Sequence, residues 1–148
     1  MNKNDFAKYP PMGWNSWDCY GAAVTEKELR QNADYMAEHL KEHGWEYVIC
    51  DIQWYEPTAD TSHYHNFADL CVDGYGRVIP APNRFPSAAD GKGFGPIAEY
   101  VHSKGLKFGI HIMRGIPRQA VHQNTPVKGT SYTARQIAHP ASICAWNT

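Results

Sequence analysis

The sequence predicts an α/β fold in which parallel strands are joined by crossover helices, and three observations carry that expectation. A helical pattern, a glycine stop and an apolar strand occur in that order twice. The two stops, Gly44 and Gly105, stand 61 residues apart. A shorter apolar and aromatic stretch, Met12-Gly13-Trp14-Asn15-Ser16-Trp17, precedes the first copy and supplies a first strand. Helix, glycine, strand, repeated, is the pattern of a parallel sheet whose strands are connected by helices.

The first copy opens on Thr25-Glu26-Lys27-Glu28, the S/T-x-x-E form in which a hydroxyl and a carboxylate satisfy free backbone donors at a helix start. Leu29, Ala33, Met36 and Leu40 follow at helical spacing, and Gly44 supplies a left-handed stop. Tyr47-Val48-Ile49-Cys50-Asp51-Ile52 then reads as a strand buried on both faces. The second copy starts at Pro96, suited to a first helical turn, continues through Ile97, Tyr100 and Val101, and stops at Gly105. It leads into Phe108-Gly109-Ile110-His111-Ile112-Met113, another buried strand.

Long excursions follow the second strand (about residues 53–94) and the third (about residues 114–148), rich in Gly, Pro, Asn and Ser. Each exceeds the ~15 residues of a simple connector. Loops of that size after parallel strands are where β/α proteins build their sites. A doubly wound nucleotide fold is the architectural rival, but the turn after the first strand, Trp17-Asp18-Cys19-Tyr20-Gly21-Ala22-Ala23, has no G-x-G-x-x-G. No G-x-x-x-x-G-K-[ST] occurs either, so no nucleotide cofactor is expected.

With 148 residues the chain holds one domain, and 43% hydrophobic with 20% charged residues is ordinary globular composition. Aromatics reach 13%, which suits core packing, or sugar stacking where rings stand at strand ends. Residues 1–99 carry −7 and residues 100–148 carry +6, but the cations are scattered through strand, helix and loop. A nucleic-acid surface is therefore not expected; a cut chain whose missing half supplies the balancing carboxylates explains the asymmetry better. No apolar run approaches the ~20 residues of a membrane span. Residues 1–6 lack an apolar leader core, so a cytoplasmic location is expected. Cys19, Cys50, Cys71 and Cys144 form no C-x-x-C pair and are expected to be free thiols.

Asp51 is the first candidate for chemistry, because a carboxylate ending an apolar strand must be paired or used. Trp17 and Trp54 end the first and second strands in the same sense, and either could floor a sugar site or belong to the core. His111 and Arg114 end the third strand, where His111 would neighbour Asp51. His39 and His43 share a helix face and read as solvated, and His63-Tyr64-His65 has no zinc-like spacing, so no metal site is expected. There is no nucleophile elbow. Glycoside hydrolysis needs two carboxylates, and only Asp51 is placed at a strand end, so no catalytic residue is assigned within the chain.

Pro10-Pro11-Met12-Gly13-Trp14-Asn15-Ser16-Trp17 strongly resembles the opening of glycoside hydrolase family 27, the α-galactosidase and α-N-acetylgalactosaminidase group. The resemblance continues through Gly44-Trp45-Glu46-Tyr47-Val48, Asp51-Ile52-Gln53-Trp54, Gly76-Arg77, Asn83-Arg84-Phe85-Pro86-Ser87 and the run from Tyr100 to Ile110. Residues 114–148 follow the family pattern poorly. The resemblance implies a (β/α)₈ TIM barrel, of which residues 1–148 supply about the first three βα units, and retaining hydrolysis of terminal α-galactosides or α-N-acetylgalactosaminides without a cofactor. It implies Trp17 and Asp51 as sugar-binding residues. It places the nucleophile and the acid/base on later strands, expected downstream of Thr148.

The chain departs from the family pattern at Ile52, where a second aspartate is usual, at His111, usually tyrosine, and at Met113, usually aspartate. A different sugar specificity is therefore open, as is a non-catalytic carbohydrate-binding role. Alone, the 148 residues are expected to expose the edge of the third strand, to be poorly soluble and to hydrolyse no aryl α-galactoside.

Overall fold

The computed structural model describes residues 2, 5 and 8–139. Cys144, Thr148 and the rest of the end of the second excursion lie outside the described residues. The expectation that the catalytic carboxylates follow Thr148 therefore concerns a part of the barrel beyond the described residues, and it enters below only as a proposal. Strands β1 (Met12–Asn15), β2 (Trp45–Cys50) and β3 (Lys107–Ile110) form one sheet in the order β1-β2-β3. Both pairings are parallel. Helix α1 (Trp17–Tyr20) is a single turn after β1, α2 (Glu26–His39) crosses from β1 to β2, and α3 (Gly95–Ser103) crosses from the long β2 excursion to β3. The parallel sheet with crossover helices is what the sequence pattern predicts, and these are the first βα units of the barrel that the family resemblance implies.

The helix boundaries follow their local chemistry. Thr25 caps α2 by accepting from the Glu28 amide, while the Glu28 carboxylate takes the Thr25 amide at 2.7 Å. Gly105 follows α3 at φ +72°, and Gly44, at φ +89°, ends the short 3-10 turn Lys41–His43 that follows α2; glycine enters this left-handed region without the steric cost of a Cβ. The apolar stripe of α2 (Leu29, Ala33, Met36) packs with Ile97 and Val101 of α3 over Val48 and Cys50 of β2. Burial pushes the Cys50 thiol up to about 12, so it serves as a small core residue.

Alternation along β2 turns Tyr47 and Ile49 to the opposite face of the sheet. They pair in register with Gly13 and Asn15 on one side and with Lys107 and Gly109 on the other. The glycines make room: a Cβ on Gly109 would meet Ile49 Cδ1 at 2.7 Å, and one on Gly13 would collide with the Tyr47 backbone.

Three sequence expectations are corrected here. β2 and β3 end at Cys50 and Ile110, so Asp51 and His111 stand one residue beyond them rather than inside. Neither β2 nor β3 is a fully buried strand: Tyr47 and Ile49 are half-buried and Lys107 and Ile110 exposed, because three strands do not close a barrel around them. The second excursion is not all loop, since it forms α4 (Arg118–Gln123) and α5 (Ala134–Ile137). The exposed third-strand edge is as expected, with Ile110 and Ile112 46% and 54% exposed.

The first excursion is tied to the barrel by a buried arginine. Arg84, in the Asn83-Arg84-Phe85 turn, donates from Nη1 to the carbonyls of Gln53 and Glu56, both at 2.8 Å. Its Nη2 donates to the carbonyls of Ala22 and of Val24. One guanidinium thus joins the segment between α1 and α2 to the segment leaving β2. Glu26 strengthens the same corner by accepting from Arg30 Nε and the Ser87 amide, both at 2.8 Å.

Candidate functional site

The parallel register builds the site. Cys50 pairs with Ile110, and the His111 amide continues the ladder to the Cys50 carbonyl at 2.9 Å. The next residues therefore stand side by side at the carboxyl ends of their strands, where β/α barrels place their chemistry. His111 Nδ1 lies 2.6 Å from Asp51 Oδ1. A carboxylate only accepts, so the shared proton sits on Nδ1 and the other ring nitrogen, Nε2, is left for a ligand.

Asp51 is held on several sides. Its own amide donates to Ser16 Oγ at 2.9 Å, and its Oδ1 also accepts the Ile52 amide at 2.6 Å. Both bonds to the carboxylate fall on Oδ1, so Oδ2 is the atom a sugar hydroxyl would address. The Asp51 side chain is 12% exposed against 56% for His111. A nearly buried carboxylate under an exposed imidazole suits recognition of a hydroxylated ligand, because the charge is kept for the guest rather than screened by water.

Trp17 opens α1 directly after Ser16 and is half-buried, with its amide donating to Asn15 Oδ1 at 2.8 Å. Trp54 goes elsewhere: it is 3% exposed and packs edge-on against Tyr55 and Phe94. Its indole N–H donates to the His111 carbonyl at 3.0 Å, so it supports the backbone under the imidazole. Arg114 is exposed on the segment beyond His111. Met113 lines an apolar cavity of about 580 Å³ with Trp54, Ile110 and Ile112. The structure thus brings Asp51 and His111 into direct contact, ties Trp17 to them through Ser16, and sets Trp54 behind them.

Sequence reasoning passed over two contributors. Ser16 is fully buried and anchors Asp51; its signal was its place at the end of the first strand. Tyr64 stacks on Trp17 at 5.8 Å between centroids, with 19° between the rings. Among the described residues no group of three or more His, Cys, Asp or Glu side chains could hold a metal ion. No described helix is long and apolar enough to cross a membrane. Cys19, Cys50 and Cys71 are free thiols.

The family described as Alpha galactosidase A matches residues 9–125. An α-galactosidase from Cyamopsis tetragonoloba is 36% identical over 112 residues, 75% of this chain and 23% of that protein. The human protein named alpha-galactosidase A is 34% identical over 119 residues, 73% of this chain and 24% of its own length. The crystal structure of a family 27 β-L-arabinopyranosidase variant from Geobacillus stearothermophilus, complexed with arabinose, is 66% identical. It overlays with a TM-score of 0.95, covering 100% of this chain and 34% of that one. The chain therefore spans about a quarter of those two curated relatives and a third of that solved structure. The strand-end geometry, the family match across most of the chain and the close structural overlay agree: the chain belongs to glycoside hydrolase family 27.

Proposed function

We propose that this chain supplies one wall of the sugar pocket of a retaining glycoside hydrolase whose preferred sugar is a terminal β-L-arabinopyranoside. The observation that carries the proposal is the hydrogen-bonded Asp51–His111 pair at the strand ends, with apolar Ile52 beside it. β-L-Arabinopyranose has the ring configuration of α-D-galactopyranose without the exocyclic hydroxymethyl group. Ile52 is 7% exposed and stands where the family usually carries a second aspartate. An apolar side chain there accepts a bare ring carbon but leaves a galactose hydroxyl without its partner. The 66% identity to a β-L-arabinopyranosidase supports the same choice.

In the complete enzyme a carboxylate from a strand beyond Thr148 attacks the anomeric carbon and a second carboxylate acts as acid, then as base. Asp51 and His111 orient the sugar hydroxyls, and Trp17 faces the ring. Terminal α-galactosides are the second reading, favoured by relatives named alpha-galactosidase at 36% and 37% identity. A reducing cytoplasmic compartment belongs to the proposal, supported by the unpaired Cys19, Cys50 and Cys71.

Steady-state kinetics of the full-length protein on 4-nitrophenyl β-L-arabinopyranoside and α-D-galactopyranoside test this. The wild type should favour the arabinoside, and Ile52→Asp should shift the ratio of kcat/KM toward the galactoside by about 10–100-fold, the worth of one charge-assisted hydrogen bond. An unchanged ratio in a folded Ile52→Asp variant would refute the role given to Ile52.

A further inference from the structure

The loop leaving β2 contains a cluster that the pair at the strand ends does not use. Glu56 is 1% exposed, and its Oε1 accepts from the Thr58 amide at 2.7 Å and from the Thr58 hydroxyl. His65 lies between two acids, with Nδ1 3.4 Å from Glu56 Oε2 and Nε2 3.0 Å from Asp60 Oδ2. Asp60 Oδ1 in turn accepts the amides of Ser62 and His63, both at 2.7 Å. Both neighbours of Tyr64 in the chain are thereby pinned.

The ring between them lies nearly parallel to Trp17. A centroid distance of 5.8 Å exceeds the ~3.5–4.0 Å of eclipsed carbon layers, so the two rings are offset, and Tyr64 stands as a second ring against part of one Trp17 face. The loop backbone also closes on α1 itself. Gly21, the residue ending α1, is at φ +53°, and a Cβ there would come within 2.9 Å of the Thr61 carbonyl oxygen. Partial burial and then the charge of Asp51 push the Tyr64 phenol above its ordinary value, as expected of a ring near that carboxylate.

We propose that Tyr64 is a sugar-binding residue that lines the pocket beside Trp17, and that His65 is its positioning residue, clamping the loop between Glu56 and Asp60. This rests on the glycosidase reading above. Tyr64 adds apolar surface for the face of a pyranose. His65 acts through Tyr64 and not on the sugar.

The test uses the full-length enzyme and the aryl glycoside it turns over best. Tyr64→Ala should raise KM about fivefold, with kcat within about twofold, since a stacking contact made equally in ground and transition states moves KM alone. Tyr64→Phe, which keeps the ring, should behave like the wild type. His65→Ala should reproduce the KM rise, His65→Gln should recover part of it through one remaining acid contact, and Tyr64→Ala/His65→Ala should be no worse than either single variant. An unchanged KM in Tyr64→Ala would overturn the assignment of Tyr64, and additive losses would overturn the clamp. A wild-type enzyme without turnover on either glycoside would instead sink the glycosidase reading. Tryptophan fluorescence titrated with L-arabinose and D-galactose then decides Tyr64: weaker binding by Tyr64→Ala supports it, and equal binding refutes it.

Discussion

Replacing Asp51 by Asn in the full-length enzyme should lower kcat/KM by roughly 10²–10³, the loss expected when charge-assisted hydrogen bonds to a bound sugar become neutral or reversed. The amide keeps one acceptor, which the Ile52 amide and His111 Nδ1 already share in the wild type. The other atom becomes a donor where the proposal has Oδ2 accepting, so a sugar hydroxyl would lose its acceptor there. His111 also loses the charge that fixes its proton on Nδ1 and turns Nε2 toward a ligand. The Ser16 bond to the Asp51 backbone is untouched, so the fold should persist. Kinetics on the aryl glycoside measure the effect, and circular dichroism checks the fold. A decrease below about threefold in a folded Asp51→Asn protein would remove Asp51 from the sugar site.

Arg84→Met should destabilise the protein by about 3–5 kcal/mol, among the largest single-residue effects the structure predicts. Arg84 is 6% exposed and its guanidinium satisfies the carbonyls of Ala22, Val24, Gln53 and Glu56. Methionine fills much of the same volume but removes the donors to the Ala22 and Val24 carbonyls, and leaves the Gln53 and Glu56 carbonyls only their backbone bonds from the Glu56 and Ala59 amides. Burial lowers the arginine pKa, and the nearby carboxylates of Glu56 and Glu28 offset only part of that, so the cation depends on its four carbonyl contacts. The bond set joins the segment after α1 to the segment after β2, so the damage reaches the loop that carries Tyr64. Urea denaturation of the full-length protein measures the loss. A change below about 1 kcal/mol would show that water replaces the lost donors.

The parts of the fold that were legible in the sequence are those with periodic or stop-signal chemistry. The Thr25–Glu28 capping box, the apolar stripe of α2 and the Gly44 and Gly105 stops each depend on local residues, and the structure shows each where the pattern placed it. The Asp51–His111 contact was legible too, because a charge ending an apolar strand and a histidine ending its neighbour meet once the strands run parallel. α4 and α5 were not. With six and four residues they are too short for periodicity, although Thr133 and Gln136 form a capping box that marks the start of α5. Arg84 and Tyr64 were missed for a different reason. Both lie on irregular loop, and both work through contacts with residues tens of positions away, which no local pattern encodes. Trp54 shows the reverse: the sequence pattern set it at the end of a strand as a ring for the sugar, while β2 ends at Cys50 and Trp54 packs into the core behind His111.

The central claim is that the strand ends of β1, β2 and β3 form one wall of a sugar pocket organised by Asp51. A crystal structure of the full-length enzyme soaked with L-arabinose tests it most directly. The account predicts a pyranose with a hydroxyl within hydrogen-bond distance of Asp51 Oδ2, its apolar face toward Trp17, and Ile52 beside the unsubstituted ring carbon. A bound sugar that touches neither Asp51 nor Trp17 would contradict it.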